Sequence, residues 1–368
     1  VKPVGASDVL IIGGGIVGAC CAWTLAQRGL RVTVMDAGLR AATAAGMGHL
    51  LILDGNPAEL ALTRYALRRW KHIAAHLPPT AAYRKNGTLW LAANQEEMAE
   101  AERKHHLLRE QGETCRLLTG AQLTAAEPWL REGLTGGLLI EDDGIVYAPA
   151  VARWMLASAG AAQVSGTVSA IDGTRVILED GRCLAADHLI LANGIQAPML
   201  FPELPIEPKK GHLVITERCR HPIKHTLVEL GYVTSAHHTA GPSAACNIQP
   251  RPTGQIFIGA TRQFGNTDPA VESWMLSKML RRACEYVPAL ARLTVIRAWT
   301  GFRAATPDGL PIIGRHPRHS AVWLAVGHEG LGVTTATATA DLLCAAICGE
   351  RPPLADAPYR VERFLKGA

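Results

Sequence analysis

Gly13, Gly15 and Gly18 stand in the run Gly-Gly-Gly-Ile-Val-Gly, directly after the apolar stretch 9–12. The spacing is G-x-G-x-x-G with one extra central glycine. Gly13 permits a tight turn after a buried parallel strand. Gly15 lets the backbone approach a pyrophosphate, and Gly18 lets the following helix lie close on the sheet. Ile16 and Val17 open that helix, whose N–H groups and positive dipole end attract phosphate. Ala22, Leu25 and Ala26 fit its sheet-facing side, and Gly29 its end. Val32 and Val34 begin a second strand that ends at Asp36, where an acid accepts ribose hydroxyls. The glycine spacing alone is weak. Strand, turn, helix, second strand and acid in this order read as a dinucleotide site, and a glycine-rich turn of another α/β protein leaves Asp36 unexplained.

Thr43, Ala44, Gly46 and Met47 follow that strand. Small residues there suit backbone N–H groups that meet an anion; a flexible glycine–alanine loop has the same composition. His49 fits a cofactor edge, a helix cap or a partner for a backbone carbonyl. His237 and His238 are adjacent, with no third ligand at helical spacing, so no metal is expected.

The elements that must position these residues need a large chain. With 368 residues there is room for two domains. Hydrophobic content of 48% and charged content of 19% are ordinary for a soluble globular protein. The net charge of +5 is small and scattered, which gives no support for nucleic-acid binding. The basic stretch from Lys209-Lys210 to Arg220 and Lys224 is broken by apolar residues 213–215 and reads as a solvated strand edge. Nine cysteines without a CxxC argue against a disulfide or iron–sulfur framework within the chain. The N-terminal residues lack a signal pattern, and the apolar run there is too short to span a bilayer. A cytoplasmic protein is the expectation.

Amphipathic periodicity predicts helices over 58–77, 96–111, 119–127, 149–159, 271–286 and 334–348. Strands are expected over 86–92, 138–140, 144–147, 163–171, 175–178, 188–192, 211–215, 245–248, 255–260, 293–299 and 322–326. Asp172-Gly173 marks a hairpin. A strand-rich middle flanked by α/β segments implies two discontinuous domains.

Five places in order carry a resemblance to a known family: residues 13–36; 41–49 (AATAAGMGH); 188–197 (HLILANGIQA); 301–314 (GFRAATPDGLPIIG); and 327–334 with its helix. Together they resemble the D-amino-acid oxidase superfamily of flavoproteins, in its glycine oxidase and amino-acid dehydrogenase branch. GMGH, LTRY at 62–65 and NGTLWLA at 86–92 are similar to bacterial D-hydroxyproline dehydrogenase flavin subunits. Glycine oxidase and cyanide-forming glycine dehydrogenase subunits come next. A second glycine-rich strand-to-helix unit near the C-terminus separates this group from NAD-dependent enzymes.

The resemblance implies an α/β, Rossmann-like FAD-binding domain (1–80, 145–212 and 297–368) and an antiparallel-sheet substrate domain (81–144 and 213–296). It implies non-covalent FAD, since residues 301–314 contain no cysteine. It adds Ala37, Val168, Ala192, Gly194, Gly301 and Gly327 to the cofactor-binding residues, and favours that role for residues 43, 44, 46 and 47. Gly330, Leu331, Gly332, Val333 and Thr334 would wrap the flavin's pyrimidine end, and the helix dipole would stabilise charge on reduced flavin. Arg303 would clamp the substrate carboxylate with its planar fork. Asn247 and His49 complete the catalytic candidates. Two departures from glycine oxidase stand out. Gly330 and Leu331 replace an arginine and an asparagine, so the site loses a cation there and Arg303 or the dipole must do more. Asn247 replaces a tyrosine, and either meets a polar group of the substrate or pairs a strand edge. Tyr232, His237 and His238 stand in the preceding loop.

The reaction so implied is hydride loss from Cα of a D-amino or cyclic imino acid, with cis-4-hydroxy-D-proline or D-proline the best fit. The electrons would pass to partner subunits of a hetero-oligomer, carrying or sharing a further flavin or iron–sulfur centre. Two alternatives are an oxygen-using glycine or sarcosine-type oxidase and a non-catalytic flavin-binding subunit.

Overall fold

The structure, a computed structural model, describes residues 7–39, 41–220, 223–231 and 241–365. Tyr232, His237 and His238 lie outside these residues. Two eight-stranded sheets organise the chain. The path of the first runs Ile312–Arg315, Val322–Val326, Cys183–Leu191, Ser7–Ile12, Val32–Asp36, Ala162–Ser165. Four of the five pairings along it are parallel, and only the first is antiparallel. Hence Val9–Ile11 and Leu189–Leu191 are apolar without alternation and buried on both faces. The hairpin around Asp172-Gly173 attaches to one end of this sheet. Residues 163–171 do not form one strand: pairing breaks at Gly166, with a φ of 159°.

The second sheet runs Val295–Ala305, Glu207–Thr216, Ile256–Phe264, Ser243–Pro250, Thr226–Glu229, Thr88–Ala92, Gly136–Ile140, Cys115–Thr119. All pairs are antiparallel except Thr226–Glu229 with Thr88–Ala92. Two expectations need correction. The domain limits at 212/213 and 296/297 cut through strands that belong whole to this second sheet. Residues 295–305 continue as strand past Trp299, because Glu207–Thr216 pairs with them through Ala305. Arg303 is therefore on this strand.

The glycine-turn helix, Ile16–Ala26, packs on the final helix, Gly332–Ile347, and on Ala148–Ser158. Ala19, Cys20, Cys21 and Ala22 are buried in that contact, where small side chains let helices approach closely. Burial pushes the thiols of Cys20 and Cys21 upward, so they serve as packing groups. Pro57–Ala74 is capped by Asn56, whose side chain accepts from the Glu59 N–H at 2.9 Å. Its buried Trp70 donates Nε1–H to the carbonyls of Val333 and Thr334 at 3.1 and 2.9 Å, fixing the start of the final helix. By length and composition alone, 329–347 could cross a membrane, but it is mostly buried inside the protein.

Candidate active site

At the carboxyl end of the first sheet, Gly13 adopts a φ of 111° against Ala192: a Cβ on it would lie 2.5 Å from the Ala192 carbonyl oxygen. A Cβ on Gly18 would collide with the Gly13 oxygen, so helix and turn touch only because Gly18 has none. Asp36 accepts from the N–H groups of Gly14 (2.6 Å) and Gly38 (2.7 Å), which folds the acid over the glycine turn with Ala37 exposed beside it. Thr43 reaches back to accept from Ile16 N–H at 2.9 Å. Gly15, Ile16, Val17, Asp36 and Thr43 thus meet at one helix N-terminus. Gly166, beyond Asp36's sheet neighbour Ser165, donates to the Asp36 carbonyl, and Val168 opens the next strand, paired with Leu178. Ala192 continues the ladder to Ile12, and Gly194 turns the chain with a φ of 58°. Beside Gly13, the Oδ1 of Asn193 is buried without a partner. A glycine-cleared cradle, an acid at its rim and an unmet acceptor fit an adenine dinucleotide.

The 41–51 loop carries this end to the second sheet. The Trp299 indole donates to the Ala45 carbonyl at 3.0 Å, and Gly301 clears the same residue: a Cβ there would collide with the Ala45 Cβ. Met47 packs on Gly259, which pairs with Asn247, and Arg251 donates to the Met47 carbonyl. Thr43, Ala44, Gly46 and Met47 therefore lie between the two sheets. His49 belongs to the same stretch, with its Nε2 2.8 Å from Thr88 Oγ1. Burial pushes its imidazole down to about 3, so it stays neutral. Its ring nitrogen pairs with a side-chain hydroxyl of the second sheet. Its carbonyl accepts from Thr334 Oγ1 at 3.0 Å.

After Val322–Val326 the chain turns at Gly327, whose φ is 75°. His328 is buried against Thr339 (2.9 Å), and burial pushes it down to about 4. Glu329, Gly330 and Leu331 lead into the final helix, where Gly332, Val333 and Thr334 form the first turn.

Arg303 stands opposite Lys209 on the neighbouring strand. Its guanidinium lies over Gly211 and donates Nη1–H to the Thr261 carbonyl at 3.1 Å. Thr261 is buried and anchored by the His212 N–H on its hydroxyl at 2.7 Å. Lys209 Nζ lies 2.6 Å from Glu329 Oε1. Burial alone would raise the Glu329 carboxyl, but Lys209, then Arg303 and Arg262, hold it at about 2. Asn247 is half-buried and pairs with Gly259, two positions before Thr261 on the same strand. Its Oδ1 is buried without a partner.

The solvated-edge expectation for Lys209-Lys210 is corrected here. Lys209 is 8% exposed and Lys210 fully buried. Glu329 and Glu272 come from distant segments to pair with them, at 2.6 and 2.7 Å. Lys209, Gly211 and Glu329, which the sequence did not single out as candidates, gather around Arg303. The structure thus places a cation beside Arg303 in a chain that lacks one at Gly330.

The FAD dependent oxidoreductase family matches residues 8–346. The chain belongs to that family. Its cofactor is FAD, and its fold is the Rossmann-like arrangement with an antiparallel substrate-side sheet that the sequence implied. Glycine oxidase of Geobacillus kaustophilus is 27% identical, with 97% of each chain covered. The crystal structure of that glycine oxidase superposes with a TM-score of 0.88 over 98% of this chain and 99% of the other. An opine oxidase subunit of Rhizobium meliloti is 28% identical, over 88% of this chain and 89% of its own. The structure of L-proline dehydrogenase from P. horikoshii, 22% identical, shares the fold with a TM-score of 0.85 over 97% of this chain and 98% of its own.

Proposed function

We propose that this protein oxidises the Cα–N bond of a small D-amino or cyclic imino acid, best cis-4-hydroxy-D-proline or D-proline, and hands the electrons to a partner subunit. The observation that carries the reading is Arg303, held over Gly211 by the Thr261 carbonyl, on the sheet face that meets the 41–51 loop. A guanidinium in that place receives a carboxylate through two parallel hydrogen bonds and fixes the Cα–H direction. FAD, held by Gly13, Gly15, Gly18, Asp36 and Thr43 and by the turn at 330–334, supplies the hydride acceptor. The N-terminal amides of the final helix meet negative charge at that turn. His49 and His328 are held neutral by burial and are poor bases, so the substrate's ammonium proton leaves to solvent. Asn247 offers an unpaired acceptor for the substrate's distal polar group.

A partner is supported by the likeness to the opine oxidase chain, which is itself one subunit of an enzyme. Such a partner would carry or share the further flavin or iron–sulfur centre. All nine cysteines are free thiols, which suits the cytoplasm. The likeness to glycine oxidases supports a second reading, in which oxygen takes the electrons. An anaerobic panel of D- and L-amino acids, including proline and hydroxyproline, scored by flavin bleaching, tests the substrate. Bleaching by glycine but not by either imino acid overturns the first reading. Reoxidation of the reduced protein by oxygen faster than by a dye, in a lone homo-oligomer, overturns the partner.

A further inference from the structure

Two cations face each other on neighbouring strands. Lys209 and Arg303 are direct cross-strand neighbours, an arrangement in which like charges repel. Lys209 is 8% exposed, so water screens it little. Its Nζ lies 4.6 Å from the ring centroid of Phe264 and 2.6 Å from Glu329 Oε1. Glu329 is fixed on both sides of its carboxylate, because Oε2 accepts from the Gly330 N–H at 2.7 Å. Its backbone has a φ of 47°, in the left-handed region that residues with a Cβ seldom adopt. Gly330 then lies against Arg303: a Cβ on it would be 3.8 Å from Nε. An acid is thus held in a strained turn, on a lysine, beside the proposed carboxylate clamp.

We propose that Glu329 is a specificity-determining residue, whose own carboxylate occupies the lysine that would otherwise receive a second carboxylate of the substrate. The inference rests on Arg303 as the clamp for the first. Arg303 takes the α-carboxylate, and Lys209 is already filled. A monocarboxylic amino or imino acid with a neutral remainder meets no opposing charge. A dicarboxylic one brings its second acid against Glu329 and is rejected. Removing the Glu329 charge releases Lys209 and admits the second acid.

The test uses acetate and succinate as probes that undergo no oxidation. Calorimetry measures both affinities on the FAD-loaded protein and on flavin-stripped protein, so the readout does not depend on turnover. The native protein should bind succinate no more tightly than acetate. Glu329→Gln keeps the side-chain shape and an oxygen for the Gly330 N–H. In it, the succinate-to-acetate affinity ratio should rise about 10-fold, the lower range for hydrogen bonds to charged groups. Glu329→Ala should move the ratio the same way, and adding Lys209→Met should abolish the rise. A native preference for succinate, or an unchanged ratio in both single variants, overturns the proposal. Acetate affinity that is insensitive to Arg303→Lys would instead overturn the clamp, which separates the two failures.

Discussion

Arg303 lies on Gly211 so closely that a Cβ at position 211 would come within 2.8 Å of Nη1 and 2.9 Å of Nη2. The glycine is the floor under the guanidinium. Gly211→Ala should therefore tilt the fork off its Thr261 carbonyl while the FAD end, built by other segments, stays intact. Arg303→Lys removes the fork and keeps the charge. Both variants should raise KM and lower the rate of flavin reduction, with kcat/KM falling about 10- to 100-fold, as expected for a lost charge-assisted pair. FAD content should stay native. Stopped-flow reduction at low substrate concentration is the measurement, and native rates in both variants would remove Arg303 from the site.

Asp36 has two carboxylate bonds, to Gly14 N–H and Gly38 N–H. These hold the acid at the rim of the glycine turn, where ribose hydroxyls would meet it. Asp36→Ala removes the acceptor and loosens the turn. FAD affinity should fall about 10-fold or more, the scale of one hydrogen bond to a charged group. Fluorescence titration of flavin-stripped protein measures it; an unchanged Kd would exclude Asp36 from the cofactor site.

The stretch 301–314 contains no cysteine, and Cys20, Cys21, Cys246 and Cys344 are buried with their thiols pushed up. Thiolates poised to attach a flavin are not what these environments favour. Acid precipitation of the loaded protein should leave the yellow colour in the supernatant. Colour that travels with the precipitate would reverse the assignment to non-covalent FAD.

Much of the fold is legible in the sequence because its signals are local. The glycine spacing, the apolar strand before it and Asp36 lie within residues 8–36, and each fixes its neighbour's geometry. The helix at 119–127 is readable for the same reason: Thr119 and Gln122 form a reciprocal capping box. What escapes depends on long-range pairing. Lys209 looks solvated until Glu329, which is 120 residues away, is placed on it. The strand Thr226–Glu229 is short and becomes one only between Ser243–Pro250 and Thr88–Ala92. The strand expected over 293–299 runs on to Ala305 because Glu207–Thr216 pairs with it, and Gly301 within it marks the close approach of Ala45. His49 cannot be placed from spacing, since its partner Thr88 lies on the other sheet.

Two histidines whose imidazoles are pushed far down predict how stability depends on pH. His49 and His328 fall from 6.5 to about 3 and about 4 on folding, in both cases through burial. The unfolded chain therefore binds protons below pH 6.5 that the folded chain refuses, and stability falls as pH falls through that window. Glu329 works in a lower window. Its carboxyl drops from 4.5 to about 2, so its contribution is complete above pH 4.5 and is lost as pH falls toward 2. Urea midpoints measured from pH 7 downward should thus decline in two stages. His328→Asn should make the first stage shallower, since His49, His212 and His316 are also pushed down by burial and remain, and should leave the second. Glu329→Gln should flatten the second and leave the first. If His328→Asn left the slope between pH 6.5 and pH 4 unchanged, the neutral, Thr339-bonded state of His328 would be wrong, and with it the reading that no histidine at this turn serves as a base.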